Sequence, residues 1–231
     1  MDPSTDAQHE GEDEDRLILV MVDDEARVIG LTLDPEWTAV VGEARLGDAL
    51  VSAQRAAVSA RDAAQLAETD VASLLRRLSV LTAMSREELT EHVGGAVPDA
   101  PWRSHGSETN VDLLDPGLRA EYSDRLRQIH QEPDEVTSGD GLLRMQGVSG
   151  RPTGLDISRG WGTRYGVQHQ ATQLFDLLVG LQERHDTRLG RLEEEFPGLG
   201  ARQQDMIDRG LSLVRGVPLP EESDGQRGSH G

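Results

Sequence analysis

The sequence contains no cysteine and no lysine, and each absence excludes a class of function. Without cysteine the chain cannot form disulfides, thiolate zinc sites or cysteine nucleophiles. All 23 basic residues are arginine, so the chain offers no phosphate-binding lysine. Aromatic residues make up only 3% of the chain, too few for the stacking platforms that bind single-stranded nucleic acid.

Cationic charge is also scarce, since 42 acidic residues against 23 arginines give a formal net charge of −19. A charge of this size disfavours simple attraction to nucleic acid or to an anionic membrane. The longest apolar run, residues 17–22, is too short to span a bilayer, and the acidic N-terminus does not look like a secretory signal. These features predict a cytoplasmic protein with no membrane partner. Arginine without lysine, together with abundant alanine and glycine, is typical of GC-rich bacterial coding sequences.

Composition divides the chain into five segments. Residues 1–15 carry seven acids and almost no apolar side chain, which predicts a disordered tail. Residues 217–231, with prolines, acids and then a Gly/Ser/Asp run, are predicted to form a second tail. Residues 95–111 lack periodicity and contain prolines, which predicts a linker between residues 16–94 and 112–216.

The two long segments resemble each other at an offset of 124 residues, the separation of Trp37 and Trp161. Kept without gaps, this offset aligns several further residues of the same type. The aligned pairs include Gly30 and Gly154, Leu31 and Leu155, Met21 and Met145, Arg27 and Arg151, and Leu50 and Leu174. Matches in one register, with the same hydrophobic pattern, predict an internal repeat.

Each copy is predicted to contain a small antiparallel sheet followed by a long helix, so the fold class is α+β. Apolar alternation predicts burial of Leu31, Leu33, Leu155 and Ile157 under Leu50 and Leu174. Trp37 and Trp161 are expected to close the sheet–helix core, with a binding anchor as the less favoured alternative. The predicted strands are 17–22, 28–33, 142–146 and 153–157; the predicted helices are 46–67, 74–81, 85–94, 118–129, a helix from about 174 to 196, and 203–214.

The stretch from Glu135 to Met145, with the sequence EVTSGDGLLRM, follows a predicted helix and precedes a turn, a strand and a long helix. This motif in this order resembles the YbaB/EbfC family of bacterial nucleoid-associated proteins. In the first copy, Leu33-Asp34-Pro35 is similar to the Ile-Asp-Pro that ends the family's last strand, whereas the second copy has Ile157-Ser158-Arg159. The resemblance covers residues 115–190 well and 16–68 less completely, because the first copy lacks the leading helix.

The resemblance implies an α-β-β-β-α unit that dimerises and binds double-stranded DNA with little sequence preference, and it implies nucleoid association. Two copies in one chain predict either an intrachain pseudo-dimer or a homodimer. The alternative function is an acidic protein-interaction adaptor on the same fold, which has lost DNA binding and recognises a protein partner.

Local charge restricts the DNA-binding candidates to the second copy. From Gly139 to Gly166 four arginines stand against two acids, whereas the matching residues 15–42 contain two arginines and six acids. Binding to phosphates needs clustered cations. The candidate residues are therefore Arg144, Arg151, Arg159 and Arg164, and the open alternative is that they belong to a solvated sheet face or pair with neighbouring acids.

The sequence predicts no catalytic residue, cofactor or metal site, and hence no enzyme. The seven histidines are scattered and form no His-Glu-x-x-His motif. Gly160-x-Gly162 has part of a dinucleotide-binding loop, but Tyr165 occupies the position of the third glycine and no βαβ unit surrounds it.

Overall fold

A computed structural model describes residues 7–85 and 116–216 and divides the chain into two compact units. Unit 1 consists of residues 1–68 and 113–197, and unit 2 of residues 69–112 and 198–231. The architecture is α+β, as predicted, with two three-stranded antiparallel sheets. Among the residues described, no helix is both long and apolar enough to cross a membrane.

The described elements of unit 1 form two successive series of strands and helices. The first is β1 (His9–Glu12), β2 (Ile18–Val22), β3 (Val28–Leu33), α1 (Trp37–Val40) and α2 (Glu43–Glu68). In unit 2, α3 (Val71–Ala83) follows. The second series of unit 1 is α4 (Pro116–Gln131), β4 (Pro133–Thr137), β5 (Leu143–Val148), β6 (Arg151–Ile157), α5 (Trp161–Arg164) and α6 (Val167–Glu195), and α7 (Leu199–Gly216) belongs to unit 2.

The two halves of unit 1, residues 7–68 and 116–197, share one hydrophobic core. Helix α2 packs on β1 and β2 of its own sheet and also on β6, while α6 packs on its own sheet and also on β3. Val20, Leu50, Met145 and Leu174 are fully buried in this common core. The halves therefore pack against each other within the chain, and the origin of this arrangement in an internal repeat stays a prediction.

Strand β1 lies unusually close to α2. A Cβ atom on Gly11 would lie 2.0 Å from the Ala57 nitrogen and 2.4 Å from the Ala53 oxygen, so only glycine fits there. The alanines that recur along α2 at helical spacing provide the flat surface that this approach requires.

The predicted disordered tail is wrong at residues 9–12, which form the edge strand β1; residues 1–6 of that tail lie outside the described residues. Glu10 and Glu12 are exposed while Gly11 faces the core, so the strand buries no large apolar residue that could reveal it in the sequence. Asp13 is also buried, and its Oδ1 accepts hydrogen bonds from the amides of Leu17 and Ile18, both at 2.7 Å.

Three predicted segments lie outside the described residues: the linker at 95–111, residues 86–94 of the predicted helix, and the tail at 217–231.

A β-bulge in β3 interrupts the predicted alternation of buried residues. Met21 pairs with Gly30 but Val22 pairs with Val28, so Ile29 is an extra residue and is 41% exposed. The paired strands β5 and β6 carry an irregularity at the corresponding place, between Gln146 and Gly147.

The predicted core residues are therefore only partly correct. Leu33, Leu50 and Leu174 are buried as expected. In contrast, Leu31, Leu155 and Ile157 are half-buried at the margin of the core, because the bulges and strand ends leave one side of each residue open.

The gap-free alignment of the two copies is wrong by one residue in β2. Val20 pairs with Leu31, and Met145 pairs with Leu155. Met145 thus corresponds in structure to the buried Val20 and not to Met21, because ten residues separate Val20 from its partner Leu31 whereas nine separate Met145 from Leu155.

Candidate functional site

The two halves of unit 1 meet at Trp37 and Trp161, whose ring centroids are 5.8 Å apart. Each tryptophan is only 1% exposed. The Trp37 indole donates a hydrogen bond to Gln170 Oε1 at 2.9 Å, and the Trp161 indole donates one to Gln173 Oε1 at 2.7 Å. Both side chains are therefore satisfied core residues and not binding anchors.

Glu43, the first residue of α2, ties the first half of unit 1 to the Gly160–Gly162 segment. Its carboxylate accepts hydrogen bonds from the amides of Gly162 at 2.7 Å and of Gly160 at 3.3 Å. A Cβ atom on Gly162 would lie 3.0 Å from the Trp37 ring. The two glycines thus serve a close contact between the halves, and their amides are occupied by a carboxylate.

All four candidate arginines are exposed, and they lie in the middle of β5 and at the two ends of β6. Arg151 begins β6, whereas Arg159 and Arg164 lie beyond its other end. The seven residues of β6 separate these positions, a distance of roughly 20 Å for an extended strand. Arg151 therefore lies about the length of one strand from Arg159 and Arg164, and DNA binding by the four residues stays a prediction.

Arg144 is the candidate whose charge is most clearly compensated. It lies on the solvent side of β5, as alternation predicts, since its neighbours Leu143 and Met145 are buried. Its Nε atom lies 3.5 Å from Glu135 Oε1, and Asp156 stands opposite it on β6. Arg144 therefore pairs with a neighbouring acid, which is the alternative to DNA binding that the sequence left open.

The other three candidates differ from Arg144. Within the described residues, Arg151, Arg159 and Arg164 have no carboxylate within ion-pair distance. Arg159 and Arg164 flank the buried Trp161 in sequence and so lie in the same region of unit 1. These two arginines, and Arg151 at the other end of β6, are available to an anionic ligand.

The solvent-facing sides of the two sheets, which we term the outer faces, carry more carboxylates than cations. The first outer face contains Glu10, Glu12, Leu19, Met21, Gly30 and Thr32; the second contains Glu135, Thr137, Arg144, Gln146, Gly154 and Asp156. A DNA duplex placed on either face would meet exposed carboxylates, which repel phosphate.

Asp140 organises the β4–β5 turn against α6. Its carboxylate accepts hydrogen bonds from the Ser138 hydroxyl at 2.6 Å, the Leu142 amide at 3.0 Å, the Gln173 amide group at 2.9 Å and the Tyr165 hydroxyl at 3.0 Å. These bonds, that from Ser138 foremost, hold the pKa of Asp140 well below its usual range. A carboxylate with this many donors fixes local structure and is not poised to donate a proton.

A cluster of titratable residues that the sequence did not reveal joins α4, β4 and α6. The His130 and His185 rings lie 5.2 Å apart between centroids, and Arg188 donates a hydrogen bond to Asp134 nearby. Asp134 Oδ2 and His185 Nδ1 are buried without hydrogen-bond partners. Burial, and next the neighbouring His130, lower the pKa of His185. Sequence spacing gave no signal, since the residues come from separate elements.

The cluster is not a metal centre of an established type. Across the two described ranges, no group of three or more His, Asp or Glu residues is placed to hold a metal ion. Comparisons of the chain with protein-family models, with curated proteins and with solved structures find no significant match. The YbaB/EbfC resemblance therefore stays a prediction.

Proposed function

We propose that this chain is an acidic protein-interaction adaptor whose partner presents a basic surface. The observation that carries the proposal is the charge of the outer faces. Glu10, Glu12, Glu135 and Asp156 are exposed there, and Arg144 is already paired with Glu135. Complementary charge of this kind steers a partner into contact and selects against partners of the same sign.

The first outer face also has the composition of a contact surface. Half-buried Leu19 and Met21 lie between Glu10 and Glu12 on one side and β3 on the other. Met21 extends over Gly30, where a Cβ atom would lie 2.2 Å from its terminal methyl group. An apolar centre beside charged residues is typical of protein interfaces, in which the rim is polar.

Binding of the full-length chain to a fluorescent arginine-rich peptide tests this proposal by anisotropy. The double variants Glu10→Gln/Glu12→Gln and Glu135→Gln/Asp156→Asn each remove two charges from one outer face. Glu121→Gln/Asp176→Asn is the matched control, because it removes two exposed charges from α4 and α6 instead. We expect at least one outer-face variant to weaken binding about two- to tenfold more than the control, from the usual contribution of exposed charge pairs. Equal losses in all three variants would contradict the proposal.

Arg159 and Arg164 favour a second candidate function, the binding of duplex DNA with little sequence preference. Both are exposed, and neither pairs with a carboxylate among the described residues. The motif resemblance to the YbaB/EbfC family supports this candidate. The carboxylates of the outer faces oppose it, which is why it ranks second.

A gel shift with the full-length chain and non-specific duplex DNA separates the two functions. DNA binding predicts a complex at ~50 mM salt that is lost near ~200 mM, because binding releases counterions. The variant Arg159→Ala/Arg164→Ala should lower the salt slope by about 0.9 per lost phosphate contact. Arg127→Ala is the control, since Arg127 is exposed on α4 and pairs with Asp124. No complex at ~50 mM salt is expected for the adaptor; a complex lost specifically in the double variant would replace it with the DNA-binding function.

A further inference from the structure

The two clustered histidines connect the C-terminal end of α4 to α6. Their ring planes are tilted by 42° at a centroid distance of 5.2 Å. From the β5–β6 turn, the Ser149 hydroxyl donates a hydrogen bond to the His130 carbonyl at 2.9 Å and lies 3.3 Å from His130 Nδ1. Helix α4 packs mainly on α6. The contact between the His130 and His185 rings therefore holds the C-terminal end of a helix that is otherwise weakly anchored.

The surroundings of His185 suit a neutral imidazole. The residue is 9% exposed, and its Nδ1 atom is buried without a partner. The turn closes over it, since a Cβ atom on Gly150 would lie 3.4 Å from His185 Cβ. A protonated imidazole has two N–H donors that require acceptors, and the unpaired buried Nδ1 could not meet that requirement without rearrangement.

The charged groups around His185 act in both directions: Asp186 and Asp134 favour its protonated form, His130 and Arg188 oppose it, and burial is the largest influence and lowers the pKa of His185. The nearby carboxylates already have arginine partners: Arg188 donates to Asp134 and lies 3.4 Å from Glu132, and Arg27 lies 3.7 Å from Asp186. His130 faces His185 from α4, and protonation of both rings would place two positive charges side by side. The titratable and charged groups near His185 are His130 of α4, Glu132 after α4, Asp134 of β4, Arg27 of the β2–β3 turn, and Asp186 and Arg188 of α6.

We propose that His130 and His185 form a pH-sensitive clasp that holds α4 on α6 while the buried His185 is neutral and releases α4 when His185 is protonated. The direction follows from linkage: burial and His130 lower the pKa of His185 in the closed state. The open state therefore binds the proton more tightly, so closure is most stable above the ordinary histidine pKa of about 6.5 and weakens as the pH falls below it. Carboxylates with ordinary pKa values titrate near pH 4, outside this window.

Release of α4 alone is favoured because few other contacts hold it. Tyr122 meets Phe196 edge-on at 5.7 Å, and Ile129 is 8% exposed. The ion pair between Arg125 and Glu195, at 3.6 Å, is half exposed and contributes little stability. Elements with few buried contacts open locally before the whole unit unfolds. The open state would present Tyr122 and Ile129 to solvent.

Hydrogen–deuterium exchange of the full-length chain at about pH 7.5 and about pH 5.5, corrected for intrinsic exchange, tests the clasp. We expect the opening equilibrium of residues 116–131 to rise by up to about tenfold between these two pH values, because pH 5.5 lies about one unit below the ordinary histidine pKa. His185→Gln should remove this pH response, and His130→Gln should reduce it, because His130 is the second cause of the lowered pKa of His185 after burial. His169→Gln, at an exposed histidine on α6, should retain it.

His130→Gln decides the outcome if the buried His185→Gln variant does not fold, because His130 is exposed. Equal exchange of α4 at both pH values would overturn the proposal. So would a pH response that persists unchanged in His130→Gln.

Discussion

Gly11 shows how one residue without a side chain permits the contact between β1 and α2. We predict that Gly11→Ala lowers the free energy of unfolding by about 1–3 kcal/mol or more, because its Cβ atom would overlap backbone atoms of α2 that cannot move independently. Gly154→Ala is the control, because a Cβ atom on that strand glycine would meet no other atom within 4 Å. Urea unfolding measures both, and similar losses would show that β1 does not approach α2 as described.

The sequence pattern predicts that Leu174 and Leu155 are both buried, but the structure buries only Leu174 completely. Leu174→Ala should cost about 2–5 kcal/mol, because the side chain is fully buried and its loss leaves a cavity. Leu155→Ala should cost less, since Leu155 is half-buried against Gly47, where a Cβ atom would lie 3.2 Å from Leu155 Cβ. Thermal or urea unfolding ranks the two variants, and the reverse order would contradict the placement of β6 at the margin of the core.

At the scale of elements, Asp140 links the β4–β5 turn to α6 through Gln173 and to Tyr165. The lowered pKa of Asp140 means that its ionised form stabilises the folded state above the ordinary aspartate pKa, and that this contribution is lost as the pH falls. Asp140→Asn should therefore reduce stability at about pH 7, and its difference from the wild type should shrink towards about pH 3. Urea midpoints across this range measure the effect, with exposed Asp176→Asn as the control. A difference that does not vary with pH would refute this role.

At the scale of the whole molecule, neither half of unit 1 covers its own sheet completely. Helix α2 covers β6 of the other half, and α6 covers β3. We predict that a fragment of residues 113–197 does not form a folded monomer, since it would expose the apolar surface that α2 buries. Light scattering should show either a dimer or an unfolded chain. A monomeric fragment with a cooperative melting transition would contradict the shared core.

The sequence by itself determined those strands and helices in which apolar and polar residues alternate regularly along one continuous segment. The strands at β2, β3, β5 and β6 and the long helices α2 and α6 follow from such patterns, as does the burial of Trp37 and Trp161. The α+β class is a consequence of these elements, because each needs a partner surface to bury its apolar side.

Tertiary structure alone decided the features that depend on residues distant in the chain. Strand β1 owes its place to the fit of Gly11 against α2, and Ile29 became exposed through a bulge that only strand pairing defines. The compensation of Arg144 by Glu135 and Asp156 requires the register of three strands, and His130 meets His185 only because α4 folds back onto α6. Periodicity reports which side of a segment is buried, whereas the path of the chain decides which charges and rings become neighbours.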